Sequence, residues 1–250
     1  MTLPQAPGFR LDGMQALVTG ASQGIGFACA CALADAGASV TLVARNPATL
    51  DEAVGRLQAA GWQAEGIALD INDHAALQRA IAGRHFDILV NNAGTNRPKP
   101  LQEVSQEDYA AVMDLNVKAT YFLTQAVVAH MPAGGSIIHV SSQMGHVGAA
   151  NRTLYCASKA AVEGMTKAMA VELGPRGIRV NTLCPTFVET PMTRPFLAEP
   201  GFKEQVIGKI PLGRLGQRED LMGPVVFLAS PAAALVTGSA LMVDGGWTAH

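Results

Sequence analysis

The sequence predicts a doubly wound α/β fold, a parallel sheet with helices on both faces in a three-layer sandwich. Three observations carry this. About seven short apolar, β-rich runs recur along 250 residues, with longer helical stretches between them. The runs lack the polar alternation of half-exposed strands, so each is expected to be buried on both faces. The length suits one large domain, residues 1–250, better than two small ones.

The first run is Ala16-Leu17-Val18-Thr19. The turn Thr19-Gly20-Ala21-Ser22-Gln23-Gly24-Ile25-Gly26 follows it directly and opens a helix. In that helix Cys29, Ala30, Cys31 and Ala32 are small enough to lie close against a sheet. Gly37 ends it, and the second strand runs from Ser39 to Ala44. Asn46-Pro47 reads as an N-cap followed by proline in the first turn of a helix that Gly61 stops. Strands follow at Ala64 to Leu69 and Ile88 to Asn91, and Ser105 stands three residues before Asp108 as a capping box requires. Ser136 to Ser141 and Ile178 to Leu183 are the fifth and sixth strands, with a helix ending at Gly174 between them. Residues 185 to 211, rich in Pro and Gly, read as an irregular lid. A last helix around Asp220 to Ala229 and a strand from Ala240 to Val243 complete the chain.

Composition narrows the partners. Apolar residues make up 49% and the formal charge is −2, so no basic face is expected for nucleic acid. Residues 1 to 11 carry Pro4, Pro7 and Gly8 without the apolar centre of a signal peptide, and no apolar run reaches the length of a membrane span. A soluble, cytoplasmic protein is the expectation. Cys29, Cys31, Cys156 and Cys184 form no CxxC pair, and His74, His85, His130, His139, His146 and His250 show no metal-ligand spacing. Neither disulfides nor zinc are expected.

A glycine turn between a first strand and a helix places backbone N–H groups and the helix dipole where a pyrophosphate binds, which points to a dinucleotide. At the end of the second strand, Val43-Ala44-Arg45-Asn46 offers no acid for ribose hydroxyls. Arg45 can instead pair with a 2′-phosphate, which favours NADP; as a solvated turn residue or a stacking partner for adenine it would leave NAD open. Asp70 closes the third strand, where it could accept from the adenine amine or cap the next helix.

Tyr155-Cys156-Ala157-Ser158-Lys159 sets a phenol and an ammonium four residues apart, on one face if the segment is helical. Bringing a phenol from about 10 toward neutrality takes about 4 kcal/mol. One positive charge at about 4 Å in a medium of effective dielectric about 20 supplies roughly that amount. A proton donor and acceptor is therefore expected at Tyr155.

Thr19 to Gly26, Asn91-Asn92-Ala93-Gly94, Asn116 in Leu115-Asn116-Val117, Ser142, Tyr155 with Lys159, and Val243-Asp244-Gly245-Gly246 together resemble the short-chain dehydrogenase/reductase family, end to end. The resemblance implies a Rossmann-like sheet and hydride transfer between a nicotinamide cofactor and an alcohol or ketone. Tyr155 would exchange the proton, Ser142 would polarise the substrate oxygen, Lys159 would bind the nicotinamide ribose and lower the tyrosine pKa, and Asn116 would hold a water leading to solvent. The cofactor set it implies is Gly20, Ser22, Gln23, Gly24, Ile25, Gly26, Arg45, Asp70, Ile71, Asn91, Ala93, Gly94, Val188 and Thr190, with Tyr155 and Lys159. One departure stands at Cys184-Pro185-Thr186, where the family usually has Pro-Gly; Thr186 adds a β-branched side chain beside the expected nicotinamide face, which would reshape the substrate pocket. The loop Thr95 to Pro100 resembles that of sugar-acid and polyol members, so Arg97 is a candidate for a carboxylate or sugar hydroxyl, or else a solvated charge. Gln143 and Arg152, with His146 and Asn151, give the substrate side a polar edge. An NADP-linked oxidoreductase acting on a sugar, sugar acid or polyol comes first, a 3-oxoacyl thioester reductase second, and a non-catalytic dinucleotide sensor last. The last helix and strand resemble the surfaces on which the family builds homotetramers.

Overall fold

The computed structural model describes Leu3 and residues 5–249; Pro4 and His250, both weighed above, lie outside the described residues. Strands β1 (Gln15–Thr19), β2 (Ser39–Ala44), β3 (Ala64–Ala68), β4 (Ile88–Asn91), β5 (Ser136–Val140), β6 (Arg179–Pro185) and β7 (Ala240–Val243) each fall on an apolar run. They form one parallel sheet in the order β3-β2-β1-β4-β5-β6-β7. Ala16 of β1 stands between Val40 of β2 and Ile88 of β4. Strand order reverses there, which opens a crevice at the carboxyl ends of β1 and β4.

Residues alternate across the sheet. Ala16 and Val18 pack with α1 (Gly24–Asp35), α2 (Pro47–Ala59) and, near the chain's end, α9 (Met222–Ala229). Leu17 and Leu89 face the opposite layer, built from α3 (His74–Ile81), α5 (Thr120–Val128) and α6 (Thr153–Leu173). The helix starts follow local chemistry. Asn46 Oδ1 accepts from Thr49 N at 3.2 Å with Pro47 in the first turn, and Asp73 accepts from Ala76 N at 2.9 Å. At α4 (Gln106–Met113) the box is complete: Ser105 Oγ accepts from Asp108 N at 3.1 Å, and Asp108 accepts from Ser105 N at 3.2 Å.

Two expectations change. β3 is not buried on both faces: Glu65, Gly66 and Ala68 are exposed because β3 has only β2 as a neighbour. Glu65 pairs with Arg84 there, a charge on an edge strand that discourages pairing with another chain. α6 ends where expected, with Gly174 as its C-cap; the chain then makes one further tight turn and reverses at Gly177, with φ of 72°. The irregular stretch after β6 contains α7 (Arg194–Leu197) and α8 (Phe202–Ile207), and it has a small core of its own. Val206, Ile210 and Leu215 are buried in that core, with Phe187, Phe202 and Trp247 packed around them.

Candidate active site

The glycine turn fits a dinucleotide phosphate. Gly20 and Gly24 both have φ of 61°, and a side chain at Gly26 would overlap the Gly20 carbonyl and Asn92. Unlike α2, α3 and α4, α1 starts without a side-chain cap, so its leading N–H groups remain free for an anion. The turn is tied to β4. Asn92 Nδ2 donates to Thr19 O at 2.9 Å and Gly20 O at 3.1 Å, while Thr19 Oγ1 accepts from Asn92 N and Ala93 N. Asn92 had no role assigned from the sequence, although alternation along β4 sends Asn91 and Asn92 to opposite sides. Asn91 faces the core, where its Nδ2 donates to Thr124 Oγ1 at 2.9 Å and contacts His139 Nδ1 at 3.0 Å.

Thr190 lies over the turn, its Cβ 3.6 Å from where a Gly24 Cβ would stand, and Val188 is buried beneath it. Arg45 is exposed at the end of β2 and makes no ion pair among the described residues. Asp70 accepts from Asn72 N and Nδ2 and leaves capping of α3 to Asp73. Ile71 is buried in the core.

The catalytic candidates converge from three elements. Asn116 sits in a π-helical turn, Asp114–Ala119, between α4 and α5, a local widening common at functional sites. Its Oδ1 accepts from Thr95 N at 2.8 Å, and its Nδ2 donates to Thr95 O and to Ser158 Oγ, both at 3.0 Å. Tyr155, Ser158 and Lys159 occupy the first turns of α6, and Ser142 follows β5. Lys159 Nζ donates to Val140 O at 2.9 Å and lies 5.6 Å from the centre of the Tyr155 ring.

The electrostatics differ from the sequence expectation. Burial pushes the Tyr155 hydroxyl up to about 12, against a hydrogen-bonding influence from Ser142, and pushes Lys159 down to about 8. Tyr155 keeps part of its surface accessible, so the upward shift reflects crowding around the hydroxyl rather than enclosure of the whole ring. The ammonium is engaged by the Val140 carbonyl, and burial of the hydroxyl outweighs the favourable influences on the phenolate.

Ser142, Gln143, Arg152 and Tyr155 line one cavity with Asn96, Met144, Thr186, Phe187, Met192, Thr193 and Phe196. A larger cavity of about 480 Å³ lies across Thr186 and contains none of the catalytic candidates. Arg97 does not join the substrate side. It donates to Asp108 Oδ1 at 3.1 Å, and Lys99 donates to Oδ2 at 2.5 Å. Lys99, the Ser105 N–H and Arg97 together hold the Asp108 carboxyl well below its usual range. Behind Lys159 the fold assembles a set that spacing did not reveal. Glu163 accepts from Thr182 Oγ1 at 2.9 Å and from Cys184 Sγ at 3.3 Å, with His146 Nε2 at 3.3 Å.

Comparison with known proteins agrees with this geometry. A family profile described as Enoyl-(Acyl carrier protein) reductase matches residues 20–248. The chain is 41% identical over 247 residues to gluconate 5-dehydrogenase of Gluconobacter oxydans (strain 621H), covering 96% of each. It is 39% identical to L-xylulose reductase of Bos taurus, covering 96% of this chain and 98% of that one. A crystal structure of a gluconate 5-dehydrogenase from Burkholderia cenocepacia J2315, in complex with NADP and tartrate, is similar with a TM-score of 0.93 at 36% identity, over 97% of this chain and 98% of that one. Matched along nearly its whole length in both sequence and fold, this chain belongs to the short-chain dehydrogenase/reductase family.

Proposed function

We propose that the chain, as one domain over residues 1–250, is an NADP-preferring oxidoreductase that interconverts a secondary alcohol and a ketone on a sugar, sugar acid or polyol. The observation that carries this reading is the sharing of one cavity by Ser142 and Tyr155, with Lys159 and Asn116 packed behind them and the glycine turn at the same edge of the sheet. Bound nicotinamide supplies the hydride, and the chain supplies alignment and the proton. Tyr155, protonated at neutral pH, gives its proton to a ketone oxygen in the reducing direction. Ser142 is a second hydroxyl at the same oxygen; once its proton turns from Gln143 Oε1 to the substrate, the two together stabilise the charge that develops there. Lys159 adds positive charge beneath the phenol, and Asn116 fixes the adjoining turn of α6 through Ser158.

Arg45 supports NADP: it is exposed, without a partner among the described residues, and no acid stands at that strand end. The free thiols of Cys29, Cys31, Cys156 and Cys184 support a reducing compartment such as the cytoplasm. The partly covered Met222, Val226 and Phe227 of α9, together with edge strand β7, support a homotetramer. Steady-state kinetics with NADP and NAD over sugar acids, polyols and β-keto thioesters tests the reading. Turnover is expected with NADP favoured, the preference is expected to fall in Arg45→Ala, and Tyr155→Phe should bind coenzyme yet lose on the order of 10²-fold or more in kcat. Full turnover in Tyr155→Phe would remove the proton role.

A further inference from the structure

We propose that the substrate is a hydroxylated carboxylate, with its carboxylate seated on Arg152 in the cavity that Ser142 and Tyr155 line. This rests on the oxidoreductase reading above and decides between acidic and neutral substrates, which the related enzymes do not.

Arg152 is only 9% accessible, yet no carboxylate among the described residues forms an ion pair with it, and Glu199 acts on it only from beyond contact. Its one hydrogen bond is from Nη1 to the Asn151 carbonyl at 3.2 Å, and its guanidinium lies 5.5 Å from the centre of the Phe196 ring. A guanidinium cannot escape this situation by giving up its proton at any working pH, so a buried one requires an anion. The nearby Arg97 shows what compensation looks like: it is 46% accessible at its side chain and already paired with Asp108.

A second observation points to the same cavity. Asn96 Oδ1, Gln143 Nε2 and Thr186 Oγ1 are buried without a hydrogen-bond partner, and all three residues line it. Buried polar atoms are ordinarily paired, so three orphans around one space describe a missing ligand. Their chemistry is specific. Ser142 Oγ donates to Gln143 Oε1 at 2.7 Å, which leaves Nε2 as a free donor. Asn96 Oδ1 is an acceptor, which repels a carboxylate and suits a hydroxyl proton. Thr186 can do either, and its hydroxyl is the feature by which this chain departs from the family pattern. One cation, one donor, one acceptor and one hydroxyl match a compound bearing both a carboxylate and hydroxyl groups. Met144 and Met192 supply apolar wall for its C–H faces.

The test compares gluconate with sorbitol, its uncharged counterpart, using the full chain and NADP. Each is measured by steady-state kinetics and by calorimetric binding to the coenzyme complex, with wild type, Arg152→Gln and Arg152→Lys. Melting temperature and coenzyme affinity establish that the variants fold. Gluconate is expected to be preferred, and Arg152→Gln should raise its KM and Kd by on the order of 30-fold or more while affecting sorbitol far less, with partial recovery in Arg152→Lys. Equal loss for both compounds, or a wild type that prefers sorbitol, overturns the carboxylate while leaving hydride transfer intact. Arg152-dependent gluconate binding without turnover of any compound would keep the carboxylate and overturn the oxidoreductase reading.

Discussion

At Lys159, burial and charge pull in opposite directions. Enclosure disfavours the ammonium and brings it down to about 8, while the neighbouring Glu163 carboxylate favours it, so the side chain stays mostly charged at neutral pH. One lysine is therefore expected to titrate near 8 when the ligand-free protein is followed by NMR of labelled lysine, and its signal should vanish in Lys159→Met; lysines titrating only above 10 would contradict this. The sign for stability follows. Between about pH 8 and 10 the unfolded chain holds this proton and the folded chain does not, so the Lys159 contribution rises with pH. Above about 10 Tyr155 acts the other way, because the folded phenol keeps a proton that the unfolded one has lost. The pairing of Tyr155 with Lys159 was legible from their spacing; the direction of the tyrosine shift was not, since burial of the hydroxyl depends on residues far along the chain.

At the scale of elements, two helix starts perform different work. α4 is closed by Ser105 and Asp108, and α1 is left open beneath the glycine turn. Ser105→Ala is expected to cost about 1 kcal/mol in denaturant unfolding and to leave coenzyme affinity unchanged. Gly26→Ala should lower coenzyme affinity sharply, because its methyl group would displace the Gly20 carbonyl and Asn92; an affinity equal to wild type by calorimetry would refute this account of the turn. The caps at Asn46 and Ser105 were readable because an N-cap is a contact between residues three apart. The exposure of Glu65 was not, because an edge strand differs from an inner one only in its neighbours. Nor was the capture of Arg97 by Asp108, eleven residues on.

For the molecule as a whole, stability depends on the sheet being packed on both faces. Leu89 is fully buried in the centre of the sheet and packs into the layer that includes Leu123 and Leu173. Leu89→Ala is expected to cost about 2–5 kcal/mol in urea unfolding with the m-value unchanged. A loss below about 1 kcal/mol would mean that the two layers collapse onto the gap.

The sequence by itself determined the order of strands and helices, the glycine turn and the Tyr155 to Lys159 spacing, because each depends on periodicity or on contacts between near neighbours. Only the tertiary structure decided which polar groups are left without partners. Arg152, Asn96, Gln143 and Thr186 are brought together from separated segments, and three of the same segments bring Glu163 to His146 and Cys184. Whether a charge or an amide is satisfied depends on what the fold brings within about 3 Å of it, a distance that has no counterpart along the chain.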